Sequence, residues 1–344
     1  MNRRSLVQFV CSLIVCVASL GTTAHSQEVI VLSSIDEVIG WLEAQDWWGE
    51  VNRGEQLTVP HAMVTGINPA WRQAAQELPV PQKKEIFYRL MLPLIVHANY
   101  LVMERRAVLI RMQTTLAAGG EIPEDDMETL RVGAVLLRIT SLDEAAELTQ
   151  SSDELPAVIE EALYKLDIIP AGLALGQAAY ESGYGTSRFA VEGNALFGQW
   201  VYGGKGLVPE QQRTELGDHR IAAFDWPFDS VRGYFINLMS HPAYEDFRRI
   251  RAQLRADGQP LSSLVLADGL TSYSERGQEY VDTLKQMIRV NRLDIADGAI
   301  FRDEPIRFVV VAENEAAAAE LREEIAALRA SGELDLIIAR MRLE

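Results

Sequence analysis

The chain has 344 residues, 48% of them hydrophobic, with a mean hydropathy close to zero, the balance of a globular protein with enough apolar surface to build a core. Its formal net charge of −17 leaves no basic face for phosphate groups and argues against a nucleic-acid partner; the plain reading of the acidity is solubility. No repeat of solenoid period runs between its early and late segments, which removes that architecture.

The chain opens MNRRSLVQFVCSLIVCVASLGTTAHSQ, with Arg3 and Arg4 ahead of an apolar run over residues 6–20 and small residues at Ala24 and Ser26. This pattern predicts a secretory signal peptide over residues 1–26, cleaved after Ser26 or Ala24. The apolar run is shorter than the roughly 20 residues a spanning helix needs, and the later sequence suggests no further span, so the mature chain is expected in the periplasm without stable membrane insertion. Cleavage removes both basic residues and deepens the charge to −19. It also removes Cys11 and Cys16, so the remainder can form neither a disulfide nor a thiolate metal site. His61, His97, His219 and His241 show no zinc-ligand spacing, and no metal or other cofactor is predicted.

From residue 35 to about 150 the pattern is helical. In EIFYRLMLPLIVHANYLVMERRAVLIRM, Ile86, Leu90, Leu94, Leu101 and Val108 recur four or seven apart and predict one buried stripe of a long helix. Pro93 should kink it, and Arg105, Arg106 and Arg111 read as solvated. Pro123 followed by Glu124, Asp125 and Asp126 opens another helix, with acid where the helix dipole favours it. A third helical unit covers residues 153–166, and IIPAGLALGQAAYESGYG then starts at Pro170 and stops at Gly183. Because residues 168–179 are nearly all apolar or small, this helix should be surrounded by others. ALFGQWVYGGKGLVP reads as strand, glycine turn and strand, and HRIAAF as a further short strand. Helical periodicity returns over residues 230–251, 261–266 and 278–289, and a last helix covers 315–330. The predicted class is mainly α (α+β): a helical domain at 151–295 with a small β-hairpin lobe, an N-terminal helical region at 27–150 and a C-terminal helical tail at 296–344. The tail reads as a peripheral helix, with a partner-binding helix as the alternative.

Glu181 is the residue to explain. It is the only carboxylate between Asp167 and Glu192, and it ends an otherwise apolar helix. The negative end of the helix dipole and apolar neighbours both disfavour ionisation, so both should raise its pKa. An acid that holds its proton at neutral pH is what glycosidic cleavage requires. A glutamate that merely turns to solvent is the other reading, and from the physics of the position the two weigh evenly.

The surrounding residues, GQAAYESGYGTSRFA followed by GNALFGQW, resemble the exported Bax-type proteins, which carry the glucosaminidase domain of glycoside hydrolase family seventy-three shared with flagellar peptidoglycan hydrolases and autolysins. The family pattern, an apolar helix ending in a catalytic glutamate, then Ser-Gly-aromatic-Gly, then Asn-x-Leu-Phe-Gly, is matched by Glu181, Ser182, Gly183, Tyr184, Gly185, Asn194, Leu196, Phe197 and Gly198. The similarity extends through FDWPFDSVRGYFINLMSHPAYEDFR and LTSYSERGQEYVDTLKQMIRVN. It implies a lysozyme-like helical domain and a glycosidase cutting β-N-acetylglucosaminyl linkages in peptidoglycan strands, with Glu181 as general acid. By the same resemblance Tyr273 is the cleft tyrosine, with Tyr280 as packing. The second carboxylate would be Glu210 on the β lobe, with Glu215 next and Asp218 or Asp225 behind them; a substrate acetamido group acting as internal nucleophile would remove the need for one.

Of the aromatic residues, Tyr184 and Trp200 read as cleft platforms and Phe197 as core. Asn194 and Gln199 are candidate substrate contacts, although Asn194 reads first as holding its own turn. A lytic transglycosylase and a non-catalytic glycan-binding envelope protein are the alternatives to a hydrolase.

Overall fold

A computed structural model describes residues 28–49, 56–202, 206–208 and 219–343. The expected leader and the carboxylates Glu210, Glu215 and Asp218 lie outside the described residues. The protein is mainly helical, and the described residues contain three small sheets, the architecture expected of a lysozyme-like helical class. It divides into two units: one takes in the described residues up to Leu94 together with Glu181–Ser230 and those from Ile300 onward, the other Ile95–Tyr180 and Val231–Ala299.

The first unit contains every described strand: β1 (Glu28–Leu32), β2 (Thr58–Val59), β3 (Ala62–Val64), β4 (Trp200–Tyr202), β5 (Gly206–Leu207), β6 (His219–Ala222), β7 (Ile300–Phe301) and β8 (Arg307–Val311). β8 is the centre of a parallel sheet ordered β1-β8-β3, with Ile30 and Val64 both opposite Val309. The β-branched runs VIV of β1 and VVV of β8 suit a pleated, covered surface. β1, β3 and β8 lead into the helices Ile35–Ala44, Pro69–Glu77 and Glu315–Ser331 respectively. Their N-caps Ser34, Asn68 and Asn314 each accept a backbone N–H of the first turn through the side chain, as capping requires.

The N-terminal region is therefore not helical throughout, and the C-terminal segment is more than a helical tail. The short strands β1 and β3 carry no helical or alternating period, and a run of five residues reveals its partner only in three dimensions. The β lobe is present, but β4 and β5 do not pair with each other as a hairpin. Both pair antiparallel with β6, in the order β4-β6-β5.

The helix Val80–Ala117 runs for 38 residues and continues through Pro93. Ile86 and Leu94 are buried as the period predicts, whereas Leu90, Leu101 and Val108 are half-buried and the whole stretch 91–98 is enclosed. By length and hydropathy a window of this helix could cross a bilayer, contrary to the reading that no later segment could; 61% of that window is buried inside the protein, as in a soluble core helix.

The second unit is helical in all its regular elements. Its centre is the helix Ala171–Ser182, on which Leu173, Ala174, Leu175, Ala178 and Ala179 are almost inaccessible. Gly172 and Gly176 lie four apart and so share a face. A Cβ on Gly172 would stand 2.3 Å from the Leu293 carbonyl oxygen, and one on Gly176 would stand 3.0 Å from Leu284 Cδ1, so small residues here allow close approach to the helix Gln278–Asn291 and the turn after it.

Arginines hold the end of the neighbouring helix Leu155–Lys165. Arg106 donates to the carbonyls of Leu163 and Leu166, and the buried Arg251 donates to those of Tyr164, Lys165 and Asp167. These bonds satisfy carbonyls that a helix end leaves open. Arg106 is thus not solvated, and Arg111 forms a bidentate pair with Asp126. Burial works to raise the Asp167 carboxyl, yet paired hydrogen bonds from Arg255 and the charges of Arg251 and Arg106 hold it below the ordinary range.

Candidate active site

Glu181 is half-buried at the penultimate position of its helix. The chain leaves that helix through three consecutive residues with positive φ, Gly183 at 57°, Tyr184 at 61° and Gly185 at 75°. Only glycine takes this conformation without cost, so Tyr184 sits there under strain. Ser182, fully buried, closes the turn: its Oγ accepts the Gly185 N–H at 2.8 Å and its carbonyl accepts the Ser187 N–H at 2.9 Å. The Ser-Gly-Tyr-Gly stretch thus serves as a reversal directly after the carboxylate.

The second motif returns to the same place. Gly198, at φ 62°, lies so close that a Cβ there would be 3.7 Å from Glu181 Oε2. Leu196 and Phe197 are buried and anchor the segment, and the Leu196 N–H donates to Ser230 Oγ. Gln199 is fixed from the same residue: its Nε2 donates to the Ser230 carbonyl at 3.0 Å, and Ser230 Oγ donates to its Oε1 at 3.2 Å. The side chain expected at the substrate is occupied in holding the Gly198 loop.

Asn194 has a similar duty. At φ 50° it ends the short helix Arg188–Gly193, accepts the Ile67 N–H through Oδ1 and donates both amide hydrogens, to the carbonyls of Phe224 and Asp225. These hydrogen bonds are those of a side chain that holds its own turn. Trp200, the first residue of β4, is 49% exposed, a large apolar surface of the sort a sugar ring can lie on. Tyr184 is half-buried, with its ring edge-on to Phe87 and Tyr88 at 5.8 and 5.9 Å and with the Lys84 ammonium 5.6 Å above it. Its carbonyl accepts Trp71 Nε1–H at 3.0 Å.

The second unit holds the candidate tyrosines. Tyr280 is buried and its hydroxyl accepts from Gln177 Nε2 at 3.0 Å. Tyr273 is half-buried and stacked on Tyr280, with ring centroids 5.5 Å apart, and Tyr244 and Tyr234 flank it at 5.9 and 6.4 Å. Gln177 was passed over in the sequence because the helix around it reads as uniformly apolar. It is wholly buried and also accepts from Tyr234 at 2.5 Å, so the one polar side chain inside that apolar stretch ties two tyrosines together. Asp297 was missed as well. Its carboxylate accepts the N–H groups of Gly172 and Ser263, at the start of the helix that ends with Glu181, and burial pushes its pKa up to about 6.

Residues 157–293 match the glucosaminidase family, described as mannosyl-glycoprotein endo-beta-N-acetylglucosaminidase. The chain is similar to the protein Bax of Escherichia coli strain K12, 36% identical over 134 residues, which are 39% of this chain and 47% of that relative; the match therefore spans about half the relative's length. No solved structure matches significantly. Residues 157–293 thus match a glucosaminidase-family domain, and the chain is similar to Bax over 134 residues.

Proposed function

We propose that the protein is an exported glycosidase that hydrolyses β-N-acetylglucosaminyl linkages in peptidoglycan or its fragments, with Glu181 as the general acid. The observation that carries this reading is the approach of Gly198 to Glu181 Oε2, which brings two separate stretches of the family motif to one carboxylate. Glu181 is half-buried in the last turn of a helix whose residues 171–179 are buried. The glycines beside it leave backbone against which a sugar can lie closely, and the exposed Trp200 offers a stacking surface on the β lobe. The leaving oxygen takes the Glu181 proton as the glycosidic bond breaks. Glu210 is the proposed partner carboxylate and Tyr273 the proposed cleft tyrosine.

The test is product analysis on purified sacculi. The parent chain should release fragments with a reducing N-acetylglucosamine end, and Glu181→Gln should keep its thermal midpoint while losing about a hundredfold or more in rate, the scale of general acid catalysis. Undiminished cleavage by that variant would remove Glu181 from the mechanism. Anhydro-muramic ends would instead indicate a lytic transglycosylase, and glycan binding without any released product a binding protein.

A further inference from the structure

All three strands of the β1-β8-β3 sheet run parallel and so present their carboxyl ends at one edge. A cavity of about 250 Å³ lies there, formed within the first unit by the residues just past each strand: Ser33 and Ser34 after β1, Gly66 and Ile67 after β3, Ala312 and Glu313 after β8. Crevices outside the carboxyl ends of parallel strands are where open α/β sheets take their ligands. The inner wall is apolar, made by Val38, Ala74, Ile86, Phe87, Leu90 and Met91. A cavity of about 150 Å³ already admits a benzene ring, so there is room here for a ring with a short chain. At the mouth the side chains are polar, and Ser34 and Glu313 are exposed. Two of the three helix starts at this edge carry acids in their first turns, Asp36, Glu37 and Glu315, which offset their positive dipole ends; the third, Pro69–Glu77, carries none, and its Asn68 Oδ1 accepts the Trp71 N–H. The nearby Arg322 is engaged with Glu315 at 2.8 Å. The charge at the mouth is therefore negative and the interior is apolar.

We propose that this cavity binds a small amphiphilic cation, a molecule with a ring-sized apolar body and an ammonium head, the body lying against Phe87 and Met91 and the head at Glu313. The cavity is also lined by Trp71 and Gly185, so it backs onto the turn that follows Glu181. The probe is phenethylamine, protonated at neutral pH, titrated calorimetrically against the full chain, with phenylacetate as the anion of similar shape. Phenethylammonium should saturate one site, and phenylacetate should bind about tenfold or more weakly. Glu313→Gln, at an exposed position, should weaken the cation by about fivefold, the worth of one partly exposed ion pair, and narrow its advantage over the anion. A Cβ on Gly66 would meet nothing within 4 Å, so Gly66→Leu should fill the space without strain and abolish binding while the thermal midpoint is kept. Ala74→Leu plugs the opposite wall as a second such variant. The proposal is overturned if phenethylammonium shows no saturable binding, if phenylacetate binds as well, or if folded plugged variants bind as the parent does.

Discussion

Three consecutive left-handed residues after Glu181 concentrate the cost of the site in a few side chains. Gly185 has φ 75°, and a Cβ there would stand 3.2 Å from Trp71 Nε1 and 3.5 Å from Phe87. Gly185→Ala should therefore destabilise the protein by about 1–2 kcal/mol from backbone conformation alone and lower glycan cleavage, since the turn that follows Glu181 would shift; a thermal melt and a sacculus assay check both. Gln177 is the other residue whose loss has a defined consequence. Gln177→Leu keeps the volume but removes a hydrogen-bond partner from both Tyr234 and Tyr280, which should cost about 1–3 kcal/mol for buried polar groups left short, measured by denaturant unfolding. Wild-type stability in that variant would mean the phenols are satisfied otherwise.

At the level of elements, the helix that bears Glu181 is held at its start by Asp297, whose carboxyl is pushed up to about 6 by burial. A carboxyl with a folded pKa above its unfolded value of about 3.9 binds its proton more tightly in the native state. Its contribution to stability is thus fully present below about pH 4 and is lost as pH rises toward and through 6. Asp297→Asn, a neutral mimic, should abolish this component, so that variant and parent converge at low pH and the variant gains relative stability by pH 7. The comparison is made by chemical denaturation at a series of pH values, and a difference that does not vary with pH would refute it. The helix Leu155–Lys165 depends on a different device. Arg251, its pKa drawn down to about 10 by burial yet still charged at neutral pH, covers three carbonyls at the helix end. Arg251→Met should cost at least about 3 kcal/mol, because several buried acceptors lose their donor together.

At the scale of the whole molecule, strands from both ends of the described chain share one sheet, with β8 between β1 and β3. Deleting residues 300–344 removes the strand through which β1 and β3 are joined, and backbone hydrogen exchange in β1 should then lose its protection; retained protection would mean that β1 finds another partner. The apolar helix that closes on a lone carboxylate at 181 and its Ser-Gly-Tyr-Gly exit were legible in the sequence, because they are local features, written in neighbouring residues. Chain order alone identified the long helix, the acid-opened helix at Glu124 and the helices near 278–289 and 315–330, since the 3.6-residue period and caps are short-range signals, but not the final helix Glu333–Leu343. It could not assign β8 to the centre of a sheet formed with β1 and β3, nor pair β4 and β5 through β6, because strand partnership depends on residues far apart in the chain and leaves no period in either strand. Nor could it show which backbone groups the amides of Asn194 and Gln199 would meet: an amide in a turn reads alike whether it faces a sugar or its own backbone. The partners were decided by tertiary structure, where buried N–H and C=O groups must find partners, and Ile67, Phe224 and Ser230 were the groups within reach.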